Sequence, residues 1–278
     1  MVKNKILAFH GKKGSGKNTF CNFMTGFCLA GNGIVESFDL HDGKLYIEQG
    51  ETKGILDLEK VKDTYEGGEF AARSIWPYAK IYAFAEPLKE ICVELFNCPR
   101  HLVYGSDEDK NTVMSHLLWE NMPGVVCCDS SNWMSILGSD YTEKDVNKVL
   151  RGLDLTFHTE GAMTIRQFLQ FMGTEVMRKI WGPVWVNALI KKVQEEESDM
   201  SLVSDLRFDN EAEGLKNSDN DVKIIKLTRS ISEDGHISEQ YIDDKHIDAV
   251  IDNANLNVAQ SCELIVKHLR DWGWAVEK

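Results

Sequence analysis

The stretch from Lys5 to Phe20, KILAFHGKKGSGKNTF, constrains this chain more than any other. Ile6 to Phe9 form a short apolar run of the kind that makes a buried parallel strand, and a glycine-rich turn from Gly11 to Gly16 follows it without a linker. Lys17, Asn18 and Thr19 then open a helix predicted to run to about Leu29, with Phe20, Phe23, Met24 and Phe27 as its core face. A strand, a glycine turn and a helix amino end in succession make an anion site. The first amides of a helix have no partner within it, and the positive end of the helix dipole lies beside them. Gly11, Gly14 and Gly16 stand where a Cβ would obstruct the backbone, Ser15 lies between the last two, and Lys17 is placed to reach the terminal phosphates of a nucleotide. The spacing is G-x-x-x-x-G-K. A loop of this pattern continues with Ser or Thr, whose hydroxyl binds Mg²⁺; here that position is Asn18, and the hydroxyl comes one residue later at Thr19.

Composition narrows the partners. The 278 residues are 43% hydrophobic and 27% charged, which is ordinary for a globular chain able to bury a core. Lys plus Arg number 31 against 44 Asp plus Glu, a net charge of −13, so a broad footprint for nucleic acid or an anionic membrane is not expected. A polyanionic ligand must then be met by a few local cations. No apolar run approaches the roughly 20 residues that span a bilayer, and MVKNKILAFHG enters the first strand without a cleavage pattern, so a cytoplasmic protein is expected. Seven cysteines without a C-x-x-C pair point to reduced, buried thiols and not to a zinc site.

Further along, Asp42-Gly43 is a two-residue turn signal between alternating residues, and marks a hairpin insertion on the surface. Lys80–Phe84 is a second core strand, followed by a helix whose first turn carries Pro87, Leu88 and Lys89 near the strand's carboxyl end, where open α/β sheets bind ligands. From Cys98 to Gly161 turn clusters dominate, with a helix expected from Thr142 to Leu153, and the stretch has the character of a cover over a site. Thr164–Lys179 is predicted to be one helix, with Ile165, Leu169, Met172 and Val176 on its apolar side and Arg166, Gln170, Gly173 and Thr174 on the other. Gly173 costs such a helix about 1 kcal/mol relative to Ala, which implies close approach of a ligand or another backbone there. Trp185 is either core or a platform beside a base. Leu202–Asp205 is a third strand ending in a carboxylate suited to Mg²⁺ or its waters; Val222–Leu227 and Ile247–Ile251 are the fourth and fifth, and Val258–Leu269 is a final helix. Strands alternating with helices give a fold class of α/β, a parallel sheet of about five strands with helices on both faces in one domain, with insertions near 36–76 and 98–161.

With GKKGSGKNT, AFAEPLKE, TIRQFLQFMGTEV, VWV at 184–186, SDLRFDNEAE, HISE and IDNAN in hand, the chain resembles bacteriophage-type deoxynucleoside monophosphate kinases. The resemblance implies transfer of the ATP γ-phosphoryl group to a 5′-deoxynucleotide on a P-loop kinase fold, with Mg²⁺ and small-molecule substrates. By resemblance Gly14, Gly16, Lys17, Asn18 and Thr19 hold the ATP phosphates, and Asn253 lies near the ATP base. Lys13, Leu88, Lys89, Arg166, Gln170, Gly173, Thr174 and Trp185 line the monophosphate site, and Asp205, Arg207 and Glu211 form an acid-and-arginine block. The family usually has Asp where this chain has Asn18. An arginine expected within 105–112 has no counterpart, its place being taken by Asp107–Lys110. Among these residues Lys17, Arg166, Asp205 and Arg207 are the catalytic candidates, and Thr19 and Asp205 are the candidates for Mg²⁺. Two other functions fit the loop: a kinase for another small phosphoryl acceptor such as dephospho-coenzyme A, and a non-catalytic nucleotide-binding regulator. Trp272 and Trp274, expected to be exposed, mark a surface on which two copies could pair.

Overall fold

The apolar run Lys5–His10 is strand β1, and it lies in the middle of a five-stranded sheet. The computed structural model describes residues 3–58, 60–61, 64–127, 152, 155–229 and 242–274. After β1, helix α1 (Lys17–Gly31) leads to strands β2 (Ser37–His41), β3 (Lys44–Gln49) and β4 (Thr52–Leu56), then to α2 (Tyr65–Ser74) and β5 (Ala79–Tyr82). The next stretch holds α3 (Glu86–Glu94), the single turns α4 (Arg100–Val103) and α5 (Asp107–Lys110), β6 (Val113–Leu118), β7 (Val125–Cys127), β8 (Thr156–His158), β9 (Ala162–Thr164) and α6 (Ile165–Gln170). The last stretch comprises α7 (Val184–Glu196), β10 (Met200–Leu206), α8 (Asp209–Lys216), β11 (Asp221–Leu227), β12 (Ala249–Ile251) and α9 (Val258–Asp271). Two compact units result, Met1–Phe84 with Pro183–Lys278, and Ala85–Gly182.

The first unit is built on the sheet β12-β11-β1-β10-β5, in which every pair is parallel. All five strands expected from the sequence are in it. Because helices cover both faces of this parallel sheet, a central strand such as β1 must be apolar on both, and Ile6, Leu7, Ala8 and Phe9 are fully buried. On one face Leu7, Phe9, Leu202, Ile225 and Leu227 pack with Phe20, Cys21 and Met24 of α1 and Cys262, Ile265 and Leu269 of α9. The pleat sends Ile6, Ala8, Val203 and Ile224 to the other face, also buried, while α7 and α8 bury Val186, Leu189, Val193, Ala212 and Leu215.

The region expected to be a surface hairpin is more than that. β2, β3 and β4 form a three-stranded antiparallel sheet whose Leu45 is fully buried and whose Phe38 ring sits 5.6 Å from Phe23 of α1. Asp42-Gly43 makes the predicted turn, with φ of 51° and 77°. Asn22 of α1 donates to the Gly43 carbonyl at 2.8 Å, so the turn is fastened to the helix that follows the glycine loop. The insertion packs on α1 because α1 carries aromatic residues around more of its circumference than the main sheet can cover.

Three expectations are corrected. Residues 98–161 are not featureless: within the described residues they form α4, α5 and β6–β8, elements of three to six residues, too short to show a period. The helix expected over Thr164–Lys179 changes its winding, with α6 followed by a π-helical stretch, Phe171–Met177. Its buried residues are Ile165, Phe168, Phe171 and Gly173, in place of the Ile165, Leu169, Met172 and Val176 stripe. The two phenylalanines take the interior: Phe168 lies edge-on to Phe96 at 4.8 Å and Phe171 edge-on to Trp119 at 5.8 Å. Finally, Trp274 is buried in the first unit's core, its indole N–H donating to Asp221 at 2.9 Å, and Trp272 is half-buried against the same core. The exposure expected of these two tryptophans is therefore not found. The helix predicted from Thr142 and the His236–Glu239 block lie outside the described residues. No helix among the described residues is long and apolar enough to cross a membrane.

Gly26 tests how closely the small sheet packs on α1. A Cβ there would strike the Phe38 ring and the Leu45 side chain. Helix propensity favours Ala by about 1 kcal/mol, while overpacking costs about 1–3 kcal/mol. Gly26→Ala is therefore expected to lower stability by about 1 kcal/mol net, measured by urea denaturation; a more stable variant would show that the interface is loose.

Candidate active site

At the end of β1 the backbone leaves the sheet through three glycines. Gly14 and Gly16 take φ of 79° and 97°, in the left-handed region that favours glycine. Gly11 is required for a different reason. A Cβ there would lie 2.7 Å from Ser15 Oγ and 2.8 Å from the Leu227 carbonyl, so the loop can pass the end of β11 only without a side chain. Gly16 also serves as the residue before α1, and among the described residues no side chain caps that helix; its first turn carries no acid. By contrast Asn257 closes the amino end of α9 by accepting from Gln260 N at 2.8 Å. Uncapped amides, the dipole and the absence of a carboxylate leave the amino end of α1 electropositive.

The Lys17 ammonium folds back over this loop, donating to the Gly11 carbonyl at 2.7 Å and the Lys12 carbonyl at 2.9 Å. Ser15 is fully buried, its amide donating to the Lys12 carbonyl at 3.1 Å. The next contact comes from the far end of the chain. Asn253, 3% exposed, donates its side-chain N–H to the Ser15 carbonyl at 2.8 Å, and its Oδ1 accepts from Arg229 N at 2.9 Å. Both ends of a buried amide are thereby satisfied, and the loop is fixed to the segment after β12. The residue carried over as a neighbour of the ATP base thus holds the loop's backbone directly. His10, just before Gly11, is buried and donates Nδ1–H to the Leu206 carbonyl at 3.2 Å. Burial, with Lys17 and Lys226 nearby, outweighs that bond and lowers its pKa, which keeps the imidazole neutral beside the loop.

Asp205 occupies the carboxyl end of β10, next to β1, and its Oδ1 accepts from Phe84 N at 2.8 Å just after β5. The Glu211 carboxylate is buried and accepts from Arg207 N at 3.0 Å and Phe208 N at 3.1 Å, so it caps the start of α8. Arg207 itself is exposed, as are Lys13 and Asn18. The Thr19 hydroxyl faces the Asp42-Gly43 turn: a Cβ on Gly43 would lie 2.7 Å from it. Trp185 is 4% exposed, so of its two sequence readings the core one fits. A cavity of about 670 Å³ in this unit, walled in part by Phe23, Phe38, Leu40, Cys262 and Val266, is lined by none of the predicted site residues. No three metal-ligating side chains of His, Cys, Asp or Glu come together among the described residues.

Of the residues predicted to line an acceptor site, Lys13, Trp185 and Glu211 belong to the first unit, and Leu88, Lys89, Arg166, Gln170, Gly173 and Thr174 to the second. Within the second unit Leu88 is buried against Gly173, where a Cβ would lie 2.9 Å from Leu88 Cδ2. Close approach at Gly173 is therefore to a side chain. Gln170 and Thr174 are exposed. Lys89 Nζ lies 4.8 Å from the centre of the Tyr104 ring, whose hydroxyl donates to Glu90 at 2.5 Å, and Glu90 in turn accepts a two-pronged pair of bonds from Arg100 at 2.7 and 2.8 Å. Arg166 donates Nε–H to Asn111 Oδ1 at 3.1 Å and from its NH2 to Asp107 Oδ1 at 2.7 Å. Sequence reasoning missed Tyr104, Asp107 and Asn111 as partners of these cations.

Removing the Asn253 amide leaves the buried Ser15 carbonyl unmatched, worth about 1–3 kcal/mol, and takes a part-buried bond from Arg229 N. Asn253→Ala is expected to lose about 2 kcal/mol or more in urea denaturation, and Asn253→Asp, which cannot donate to Ser15, should not restore it. Wild-type stability in Asn253→Asp would show that the Ser15 bond contributes nothing.

Two comparisons bear on identity. A search of curated proteins finds no match. The family model described as deoxynucleotide monophosphate kinase matches residues 77–260, a span that runs from β5 through the second unit to the start of α9.

Proposed function

The chain belongs to the deoxynucleotide monophosphate kinase family, and we propose that its glycine loop binds the phosphates of ATP while cations of the second unit bind the phosphate of a deoxynucleoside monophosphate. The observation that carries this is the amino end of α1, uncapped and free of acid, beneath a lysine that spans two loop carbonyls. A polyphosphate is the kind of ligand such a helix end favours. Phosphoryl transfer needs little covalent help from protein; donor and acceptor must be aligned and the charge on the moving group neutralised.

In this mechanism the loop amides from Gly11 to Thr19 hold the donor phosphates, and Lys17 exchanges its carbonyl partners for phosphate oxygens. Asn253 acts by fixing the loop's curvature. Arg166 is the main ligand of the acceptor phosphate, because a guanidinium can clamp two phosphate oxygens at once, and Lys89 is the second cation of that unit. Gln170 and Thr174, polar and exposed on the stretch that begins at Arg166, are assigned to the nucleotide acceptor. Lys13 and Arg207, both exposed, add positive charge in the first unit.

Asp205 and Thr19 offer oxygen donors of the kind Mg²⁺ takes, directly or through water, and the bond from Phe84 holds the Asp205 carboxylate in place. Because the Thr19 hydroxyl faces Gly43, Asp205 is the better placed of the two. When bound, Mg²⁺ would neutralise charge on the β- and γ-phosphates. Small molecules suffice as substrates, and a net charge of −13 suits free nucleotides better than a nucleic-acid polymer; the reaction is placed in the cytoplasm, supplying DNA precursors.

Coupled ADP release with ATP and Mg²⁺, tested against a panel of dNMPs, NMPs and dephospho-coenzyme A, is expected to show turnover with one or more dNMPs. Lys17→Ala should abolish it. Arg166→Ala should raise the acceptor KM or lower kcat by at least about tenfold, roughly 1.4 kcal/mol of transition-state binding. Turnover with dephospho-coenzyme A and no dNMP would overturn the acceptor assignment.

A further inference from the structure

The place where the resemblance leads one to expect an arginine is occupied by a single helical turn, α5, and that turn holds Arg166. Asp107 opens the turn and Asn111 follows it. Its shape is set locally: Ser106 Oγ accepts from Asp109 N at 3.1 Å, Asp109 Oδ2 accepts from Ser106 N at 2.7 Å, and Lys110 Nζ donates to the Gly105 carbonyl at 2.7 Å. From this frame Asn111 takes the Arg166 Nε–H, while the NH2 group goes to Asp107 Oδ1 at 2.7 Å and leans toward the Asp107 carbonyl at 3.4 Å. A guanidinium has five N–H donors in a rigid plane. Here one edge of the plane is gripped by two acceptors from one turn, and NH1 makes no hydrogen bond to a described residue.

We propose that Asp107 and Asn111 are positioning residues for the acceptor phosphate: they fix the plane of Arg166 so that its NH1 end is presented to the nucleotide's phosphate. This rests on the assignment of Arg166 to that phosphate. An unrestrained arginine must lose rotamer freedom when it binds, about 2 kcal/mol for the whole side chain; one already held along its Nε edge has lost part of that beforehand. The Asp107 carboxylate also lies beside the incoming dianion, so the arrangement can have either of two effects of opposite sign. If orientation dominates, removing the grip weakens acceptor binding. If repulsion or competition dominates, removing the carboxylate strengthens it. Orientation is favoured because Asn111, which carries no charge, shares the grip, and because Asp107 and Arg166 side chains are 52% and 36% exposed, where solvent screens the charge but leaves hydrogen-bond direction in force.

The experiment is steady-state kinetics of Asp107→Ala, Asp107→Asn, Asn111→Ala and Arg166→Ala, with the accepted dNMP and ATP varied separately and folding checked by thermal denaturation. Asp107→Ala and Asn111→Ala are expected to raise the dNMP KM several-fold to tenfold, leaving the ATP KM and melting temperature near wild type. Asp107→Asn, which keeps an acceptor oxygen without the charge, should recover most of the loss. A dNMP KM that falls in both Asp107 variants would overturn the proposal and make the carboxylate a competitor of the substrate. A raised KM in Arg166→Ala with none in Asp107→Ala or Asn111→Ala would reject positioning while retaining Arg166 as the ligand. Unchanged kinetics in Arg166→Ala would reject both.

Discussion

The central constraint is that β1 is flanked on both sides by parallel strands and buried on both faces. Such a strand can end only where its backbone finds other partners, and in this chain it ends in a loop held by Lys17, Ser15 and Asn253. The loop is rigid because it is tied to its own lysine, to a buried backbone turn and, through Asn253, to a residue 238 positions away. That rigidity bears on the anion site we propose for the loop. Amides already aligned need no reorganisation when a phosphate arrives, so the electrostatic gain is not spent on ordering the loop.

The second unit solves a different problem. The chain as a whole is strongly acidic, with 44 acids against 31 Lys and Arg, and the acceptor phosphate we propose for this unit would have to be met by local cations. Its cations are accordingly not displayed at random: Lys89 lies over the Tyr104 ring, and Arg166 is held along one edge by α5. Both arrangements involve the segment between Pro99 and Thr112, which follows the helix that carries Lys89 and supplies Tyr104, Asp107 and Asn111. Short turns can do this because capping bonds such as those of Ser106 and Asp109 fix their geometry without a hydrophobic core of their own.

Much of the first unit was legible from residue order. Apolar runs before Gly11, before Asp205 and at Val222–Leu227 foretold three strands, because a strand buried on both faces leaves a continuous hydrophobic signature. The glycine loop was legible for a steric reason, since positive φ and a carbonyl at Gly11's Cβ position exclude other residues. Legibility failed where the determining partner is distant or the element is short. The aromatic packing of Phe168 on Phe96 and Phe171 on Trp119 decided which side of the Thr164–Lys179 stretch faces inward, and an ideal wheel cannot anticipate a change to π-helical winding. Trp274 looked exposed near the end of the chain, but Asp221 lies across the structure to receive its N–H.

The sequence by itself determined the parallel sheet, the glycine loop with Lys17 above it, and the kinds of residue available to meet phosphate, because periodicity, backbone sterics and charge are properties of residues in order. Tertiary structure alone decided that Asn253 fastens the loop at Ser15, that Glu211 caps α8, that the Asp42-Gly43 turn is bound to α1, and that Asp107 and Asn111 grip Arg166. Apart from the Glu211 cap, each of these joins groups many residues apart, and even that cap is assigned only by its bonds. A hydrogen bond depends on a few tenths of an ångström and on direction, which the order of residues does not carry until the chain has closed on itself.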